Sequence, residues 1–91
     1  MTEPNKLTAK ILNKRGLHAR ASAKFVEMAC KFQCEITVSR DGATVSGRSI
    51  MGLMMLAGSQ GSELEIAARG ADADQALAAL TALIAAGFHE D

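Results

Sequence analysis

The chain has 91 residues, carries ten basic and ten acidic side chains, and is 48% hydrophobic. Its balanced charge argues against binding nucleic acid or a membrane surface through net charge. Its length suits one domain spanning residues 1–91. With three Phe and neither Trp nor Tyr, we expect that domain to have an aliphatic and methionine-containing core.

The sequence contains no apolar run long enough to cross a membrane and no secretory signal. We therefore expect a cytoplasmic protein. Cys30 and Cys34 are separated by three residues, a spacing that matches neither paired zinc-binding CxxC units nor a thioredoxin-type CxxC. In a reducing compartment they are expected to be free thiols, and we predict no metal site.

The first half of the chain predicts two strands, a helix and a hairpin. Apolar residues alternate with polar ones from Leu7 to Ile11, which predicts a half-buried first strand. Residues 19–31 repeat apolar side chains at intervals of three and four, which predicts a helix. Its expected inward stripe is Ser22, Phe25, Val26, Ala29 and Phe32. A second strand around residues 35–39 leads into Asp41-Gly42, a pair that favours a type I′ hairpin.

The second half begins with the returning strand, residues 43–47, in which Val45 is expected to face inward. Ser49 is a plausible N-cap for a short helix over residues 50–57. Its expected buried face is Leu53, Leu56 and Ala57. A fourth strand is then predicted from the alternation of Leu64, Ile66 and Ala68 with charged residues.

A last helix follows, for which Asp72 and Gln75 resemble a capping box. Its expected inward stripe is Leu77, Leu80, Ile84 and Phe88, and His89 is expected to lie in a frayed tail. The order βαββαβα predicts an α+β fold with helices covering one face of a mostly antiparallel sheet. The order alone leaves open whether the sheet is ferredoxin-like or another split arrangement.

The segment between the first strand and the first helix is the candidate site. Gly16 marks a turn, and His18 directly precedes the helix, where the first backbone N–H groups have no intrahelical partner. These donors and the helix dipole favour an anion, and Arg20 supplies a guanidinium suited to phosphate oxygens. The pattern suggests a phosphoryl-accepting histidine, kept neutral by positive surroundings. On residues alone, a histidine that merely caps the helix remains an alternative.

Two motifs carry a resemblance to a known family: GLHAR at residues 16–20 and SIMGLM at residues 49–54. At this spacing the chain resembles the HPr family, the histidine-containing phosphocarriers of the phosphoenolpyruvate-dependent phosphotransferase system, over roughly residues 7–88. One departure is Ala21, where the family usually has proline. The resemblance implies an open-faced β-sandwich, with four antiparallel strands and three helices on one face. It also implies that His18 is phosphorylated at Nδ1 and that Arg20 neutralises the phosphate.

The resemblance further implies partners. Enzyme I would phosphorylate His18, and EIIA-type proteins would accept the phosphate, in sugar uptake or in nitrogen-related regulation. Ser49 matches the target of HPr kinase/phosphorylase. On composition the methionines of the short helix could equally be core residues, but the resemblance favours an exposed docking surface. That predicted partner surface consists of Lys24, Ile50, Met51, Met54 and Met55.

The resemblance describes a monomeric carrier without a cofactor, rather than a turnover enzyme. A rival hypothesis is an acylphosphatase-like or other ferredoxin-like anion-binding domain, in which an anion loop and an arginine would precede the first helix. That chemistry would need a water-positioning group such as Asn. A small metal chaperone of similar element order would need a paired-cysteine loop, which the sequence lacks.

Overall fold

Four segments of the chain form one antiparallel sheet in a computed structural model that describes residues 4–90. The strands are β1 (Asn5–Lys10), β2 (Glu35–Arg40), β3 (Ala43–Ser46) and β4 (Glu63–Arg69). Their order across the sheet is β1-β4-β2-β3. Each βαβ unit is therefore split, because β4 lies between β1 and β2, and β2 lies between β3 and β4.

Two helices connect strands, α1 (Ala19–Ala29) and α2 (Ile50–Met55), and a third, α3 (Ala73–Ala85), follows β4. A single 3₁₀ turn, Gly87–His89, follows α3 and is called the terminal turn below. The observed order and antiparallel pairing confirm the predicted α+β class.

The core lies between the helices and one face of the sheet. In β4, buried residues alternate with exposed or half-buried ones, so that Leu64, Ile66 and Ala68 face the helices. Ile66 pairs with Val38 of β2 on one side and with Leu7 of β1 on the other. The opposite face of the sheet carries charged and hydroxyl side chains, so the helices all cover one face, as predicted.

Local patterns placed most elements correctly. Asp41 and Gly42 both have positive φ, at 50° and 85°, as a type I′ turn requires. Ser49 caps α2, with its Oγ accepting a hydrogen bond of 2.9 Å from the Gly52 N–H. Val45 is half-buried on β3.

Two expected inward residues are instead exposed. Leu7 lies on the covered side of the sheet, but β1 is an edge strand and leaves the side chain 46% exposed. Ala57 does not belong to α2 or to its buried face. It adopts φ 55° after the helix has ended at Met55, and it is exposed.

The boundaries of the other helices also differ from the prediction. α1 ends at Ala29 rather than residue 31, and Val26 and Phe32 are only half-buried against the core. Phe88 is fully buried as expected, but it lies in the terminal turn at φ 56° rather than on α3. The core therefore continues past the last helix.

The predicted capping box of α3 is wrong. Asp72 precedes the helix, but its carboxylate makes no cap hydrogen bond there. It accepts hydrogen bonds of 2.9 Å from the backbone N–H groups of Gln33 and Cys34. The side chain thus joins the start of α3 to the segment that enters β2.

Candidate functional site

The loop that carries His18 is held against the end of α2 by backbone contacts. The Leu17 N–H donates to the Gly58 carbonyl over 2.8 Å. Gly16 adopts φ 62°, and a Cβ added there would lie 2.2 Å from the same carbonyl oxygen. Only glycine fits at that approach, so the loop has a fixed position relative to α2.

His18 is the N-cap of α1 and is half-buried. Its backbone is extended (φ −76°, ψ 179°), and its carbonyl accepts the first helical hydrogen bond, from the Ser22 N–H, at 2.9 Å. Its Nδ1 accepts from the Arg20 N–H over 3.3 Å, which is longer than a typical N–H hydrogen bond. The Nδ1 lone pair is therefore directed at the helix N-terminus and only weakly engaged.

The other ring nitrogen of His18 contacts a residue that was not among the predicted site residues. Nε2 lies against the carboxylate of Glu90, 72 positions away in the chain. Because a carboxylate accepts and Nδ1 already accepts from Arg20, the hydrogen-bond pattern assigns the ring proton to Nε2. The predicted positive surroundings of His18 therefore also include a carboxylate, which lies against Nε2.

Glu90 is itself held by its neighbours. Asn13, which is buried, donates from Nδ2 to Glu90 Oε1 at 2.7 Å and to the Gly16 carbonyl at 2.9 Å. Desolvation alone would raise the pKa of Glu90. Hydrogen bonds from His18 and Asn13, together with the positive charge of Arg15, outweigh this and hold that pKa below its ordinary value. The carboxylate is therefore ionised at neutral pH.

The segment before Glu90 is packed rather than frayed. Phe88 is buried in the core, and its carbonyl accepts a hydrogen bond of 2.7 Å from Lys24 Nζ. Lys24 is half-buried. His89 is exposed on the terminal turn, so the expected frayed tail is wrong for residues 87–90.

A cleft of about 630 Å³ opens beside this arrangement. Four of its lining residues are cationic: Lys14, Arg15, Arg20 and Lys24. The other lining residues are Leu12, Asn13, Gln60, His89 and Glu90. Arg20 is exposed in the first turn of α1, where its guanidinium can reach an anion that approaches the helix N-terminus.

An exposed apolar surface lies on α2 and is called the α2 patch. It consists of Ile50, Met51, Met54 and Met55, whose exposed fractions are 40%, 70%, 40% and 78%. Leu53 and Leu56 turn inward and are buried. The exposures exclude a core role for these methionines. Lys24, the fifth residue of the predicted partner surface, lies in α1 and lines the cleft.

Ser49 lies directly before the α2 patch and is half-buried. The preceding Arg48 donates from one guanidinium nitrogen to three carbonyls near the end of α1, at 3.1 Å to Ala29, 2.7 Å to Phe32 and 2.9 Å to Cys34. These bonds fix the start of α2 against α1.

The cysteines are free thiols. Cys30 is exposed and Cys34 is buried. Burial, followed by the hydrogen bond to Asp72 and its negative charge, raises the pKa of the Cys34 thiol. Within residues 4–90, no three His, Cys, Asp or Glu side chains are grouped so that they could hold a metal ion. No helix in the same range is long and apolar enough to span a membrane.

Comparison with known proteins gives consistent matches. Residues 6–86 match the family model described as "PTS HPr component phosphorylation site". Phosphocarrier protein HPr of Neisseria meningitidis is 48% identical over 85 residues, covering 93% of this chain and 96% of that protein. Phosphocarrier protein NPr of Shewanella violacea is 42% identical and covers 88% of each chain. A crystal structure of HPr from Thermoanaerobacter tengcongensis superposes with a TM-score of 0.91, at 44% identity, over 96% of this chain and 98% of that one.

Proposed function

The chain belongs to the HPr family and is a phosphocarrier of the phosphotransferase system, and from that premise we propose that Nδ1 of His18 carries the phosphoryl group. One observation supports this assignment above the others. The Nδ1 lone pair is directed at the start of α1, where it accepts from the Arg20 N–H, while Nε2 is engaged by Glu90. A phosphoryl group on Nδ1 would thus enter the electropositive end of the helix.

The chemistry requires little beyond positioning and charge. The Nδ1 electron pair attacks phosphorus, the donor's bond to phosphorus breaks with its electrons staying on the donor, and an N–P bond forms. The α1 N–H groups and Arg20 stabilise the phosphoryl oxygens. The reverse step passes the group to an acceptor, so the chain acts as a carrier and not as a turnover enzyme. Neither step requires a cofactor from this chain.

Enzyme I is the proposed donor and EIIA-type proteins are the proposed acceptors, in sugar uptake, nitrogen-related regulation or both. Both kinds of partner would dock on the α2 patch, because exposed methionines can adapt to several surfaces. Lys24 would border that interface, with its ammonium bound to the Phe88 carbonyl. A monomer would suffice, since one chain supplies His18, Arg20 and Glu90. The free thiols fit the cytoplasm as the working compartment.

The test of this function is phosphorylation by Enzyme I and phosphoenolpyruvate. Wild-type protein should gain one acid-labile, alkali-stable phosphoryl group, located on His18 by mass spectrometry. His18→Ala should gain none, whereas His89→Ala, which removes the other histidine, should be labelled like the wild type. Labelling of His18→Ala at the wild-type level would contradict the assignment.

Ser49 is proposed as a regulatory phosphorylation site, the substrate of an HPr kinase/phosphorylase. A phosphate on Ser49 would remain next to the Gly52 N–H and the start of α2, so the helix should persist. Its negative charge would stand beside the α2 patch and repel a phosphorylated donor. Ser49→Asp should therefore keep its melting temperature and accept phosphate more slowly than Ser49→Ala. Equal rates in a labelling time course would leave Ser49 as a helix cap only.

A further inference from the structure

Glu90 contacts the ring of His18 in a way that anchoring the terminal turn does not require. Its carboxylate contacts Nε2, the ring nitrogen opposite to the proposed nucleophile. The two side chains are each only 17% exposed, so their interaction is poorly screened by solvent. The remaining oxygen of Glu90 is fixed by Asn13, whose amide also holds the Gly16 carbonyl. The terminal turn that presents Glu90 is secured by buried Phe88 and by Lys24.

We infer that Glu90 is a positioning residue for phosphoryl transfer, which fixes the Nε2 proton of His18 and stabilises the positive charge that the ring gains when Nδ1 is phosphorylated. This inference rests on the proposed role of His18. It gives Glu90 the part that a carboxylate plays behind a reactive imidazole elsewhere: it orients the ring and balances the charge without taking the proton.

The charge balance explains why such a group would help. Before transfer the ring is neutral, with its proton on Nε2. When the Nδ1 electron pair forms the N–P bond, the ring becomes a cation that retains the Nε2 proton. On donation the N–P bond breaks, its electron pair returns to Nδ1, and the ring is neutral again. No proton changes place, and the carboxylate of Glu90 faces the charge that appears and disappears.

Other charged groups line the cleft beside this arrangement and oppose the charge of Glu90. The terminal turn contributes the imidazole of His89, the loop before α1 contributes the cations Lys14 and Arg15, and α1 contributes the cations Arg20 and Lys24. The segment after α2 contributes the uncharged Gln60. These cations favour the phosphoryl oxygens but disfavour a cationic ring. Glu90 is the acidic residue that lines this cleft, so its removal should shift the balance against the protonated phosphorylated ring.

The inference is tested by titrating the phosphorylated ring without any enzyme. Wild type, Glu90→Ala, Glu90→Gln and Glu63→Gln are phosphorylated with phosphoramidate. NMR confirms that the adduct is on Nδ1 of His18 and follows the ring C–H resonances against pH. Glu63 is an exposed residue at the start of β4, so Glu63→Gln controls for the loss of one negative charge. Glu90→Gln retains the side-chain shape and serves if Glu90→Ala does not fold.

Removing the Glu90 charge should lower the pH at half-titration of the phosphorylated ring by about 1 unit, because the protonated form loses its counter-charge. With a fixed donor, the equilibrium constant for phosphorylation should fall about tenfold. The fraction of phosphorylated protein should fall with it. Glu63→Gln should match the wild type in both. An unchanged half-titration pH in the Glu90 variants would overturn the inference, even if their melting temperature fell. Failure of Enzyme I to label the wild type would instead contradict the proposed function, since the titration needs no Enzyme I.

Discussion

The two ring nitrogens of His18 have different partners, and this asymmetry separates the residue from an ordinary surface histidine. Nδ1 faces the start of α1 through the Arg20 N–H, and Nε2 faces Glu90. The same backbone position that makes His18 a helix cap also places its ring against Glu90, which lines the cleft. The cap alternative and the reactive alternative are therefore compatible, because one conformation serves both.

Arg20 should contribute to transfer without contributing to folding. It is exposed in the first turn of α1 and lines the cleft, so Arg20→Ala should keep the wild-type melting temperature. Loss of its charge-assisted hydrogen bonds to phosphoryl oxygens, worth about 1.5–3 kcal/mol, should slow transfer roughly tenfold to a hundredfold. Rapid-quench labelling measures the rate.

The control for Arg20 is Lys31→Ala, which removes an exposed cation beyond the other end of α1. Arg20→Lys should be intermediate, because it keeps the charge but lacks the planar fork. If Arg20→Ala and Lys31→Ala transfer phosphate equally fast, Arg20 has no part in the mechanism.

The two sides of α2 differ in burial. One side buries Leu53 and Leu56, and the other exposes the α2 patch. A six-residue helix has little stability of its own, so the buried leucines, the Ser49 cap and the Arg48 contacts hold it in place. The exposed side is consequently available for binding without cost to the fold.

A pair of substitutions separates these two sides. Met51→Asp places a charge on a side chain that is 70% exposed, so stability should change by no more than about 0.5 kcal/mol while Enzyme I binding weakens. Leu53→Asp buries an unpaired charge and should cost more than about 4 kcal/mol. Thermal melts and binding titrations give the two readouts. Loss of the melting transition in Met51→Asp would show that the α2 patch is needed for the fold, and it would contradict the docking proposal.

Elements that depend on local pattern could be predicted from the sequence, whereas contacts between distant segments could not. The periodicity of β4 and the Asp41-Gly42 turn need only neighbouring residues. The bonds from Lys24 to Phe88 and from His18 to Glu90 join positions 64 and 72 residues apart. The prediction for Asp72 was wrong because its carboxylate accepts hydrogen bonds from the N–H groups of a distant segment instead of capping α3. The sequence shows that residue 90 is acidic, but this property alone does not specify the partner of Glu90.

Single side chains link distant segments of the molecule at several points. The link made by Asp72 should depend on pH. Its carboxylate links the start of α3 to the entry of β2. The hydrogen bond from the Gln33 N–H, with those from Cys34, outweighs desolvation and lowers the pKa of Asp72 below its ordinary value. A carboxyl with a lowered pKa stabilises the fold above its unfolded-state pKa, about 4. That stabilisation is lost as the pH falls through the lower folded-state value.

Asp72→Asn should therefore melt below the wild type at pH 7, and the difference should shrink as the pH falls below about 4. Asp41→Asn is the matched control, because the Asp41 side chain is 83% exposed and Asn also tolerates its positive φ. Melting temperatures across the pH range provide the measurement. A constant difference at all pH values would mean that the Asp72 charge does not contribute.

The close approach of Gly16 to the Gly58 carbonyl sets a distance as well as a conformation. It joins the His18 loop to the end of α2 through main-chain atoms, which side-chain substitutions leave in place. The α2 patch can therefore change its chemistry over evolution, but its offset from His18 cannot change with it. Proteins of unrelated fold that exchange phosphate with this chain would have to present an apolar surface and a reactive group at that same offset. The selection pressure on partner geometry would then originate in one close contact of the carrier, between Gly16 and the Gly58 carbonyl.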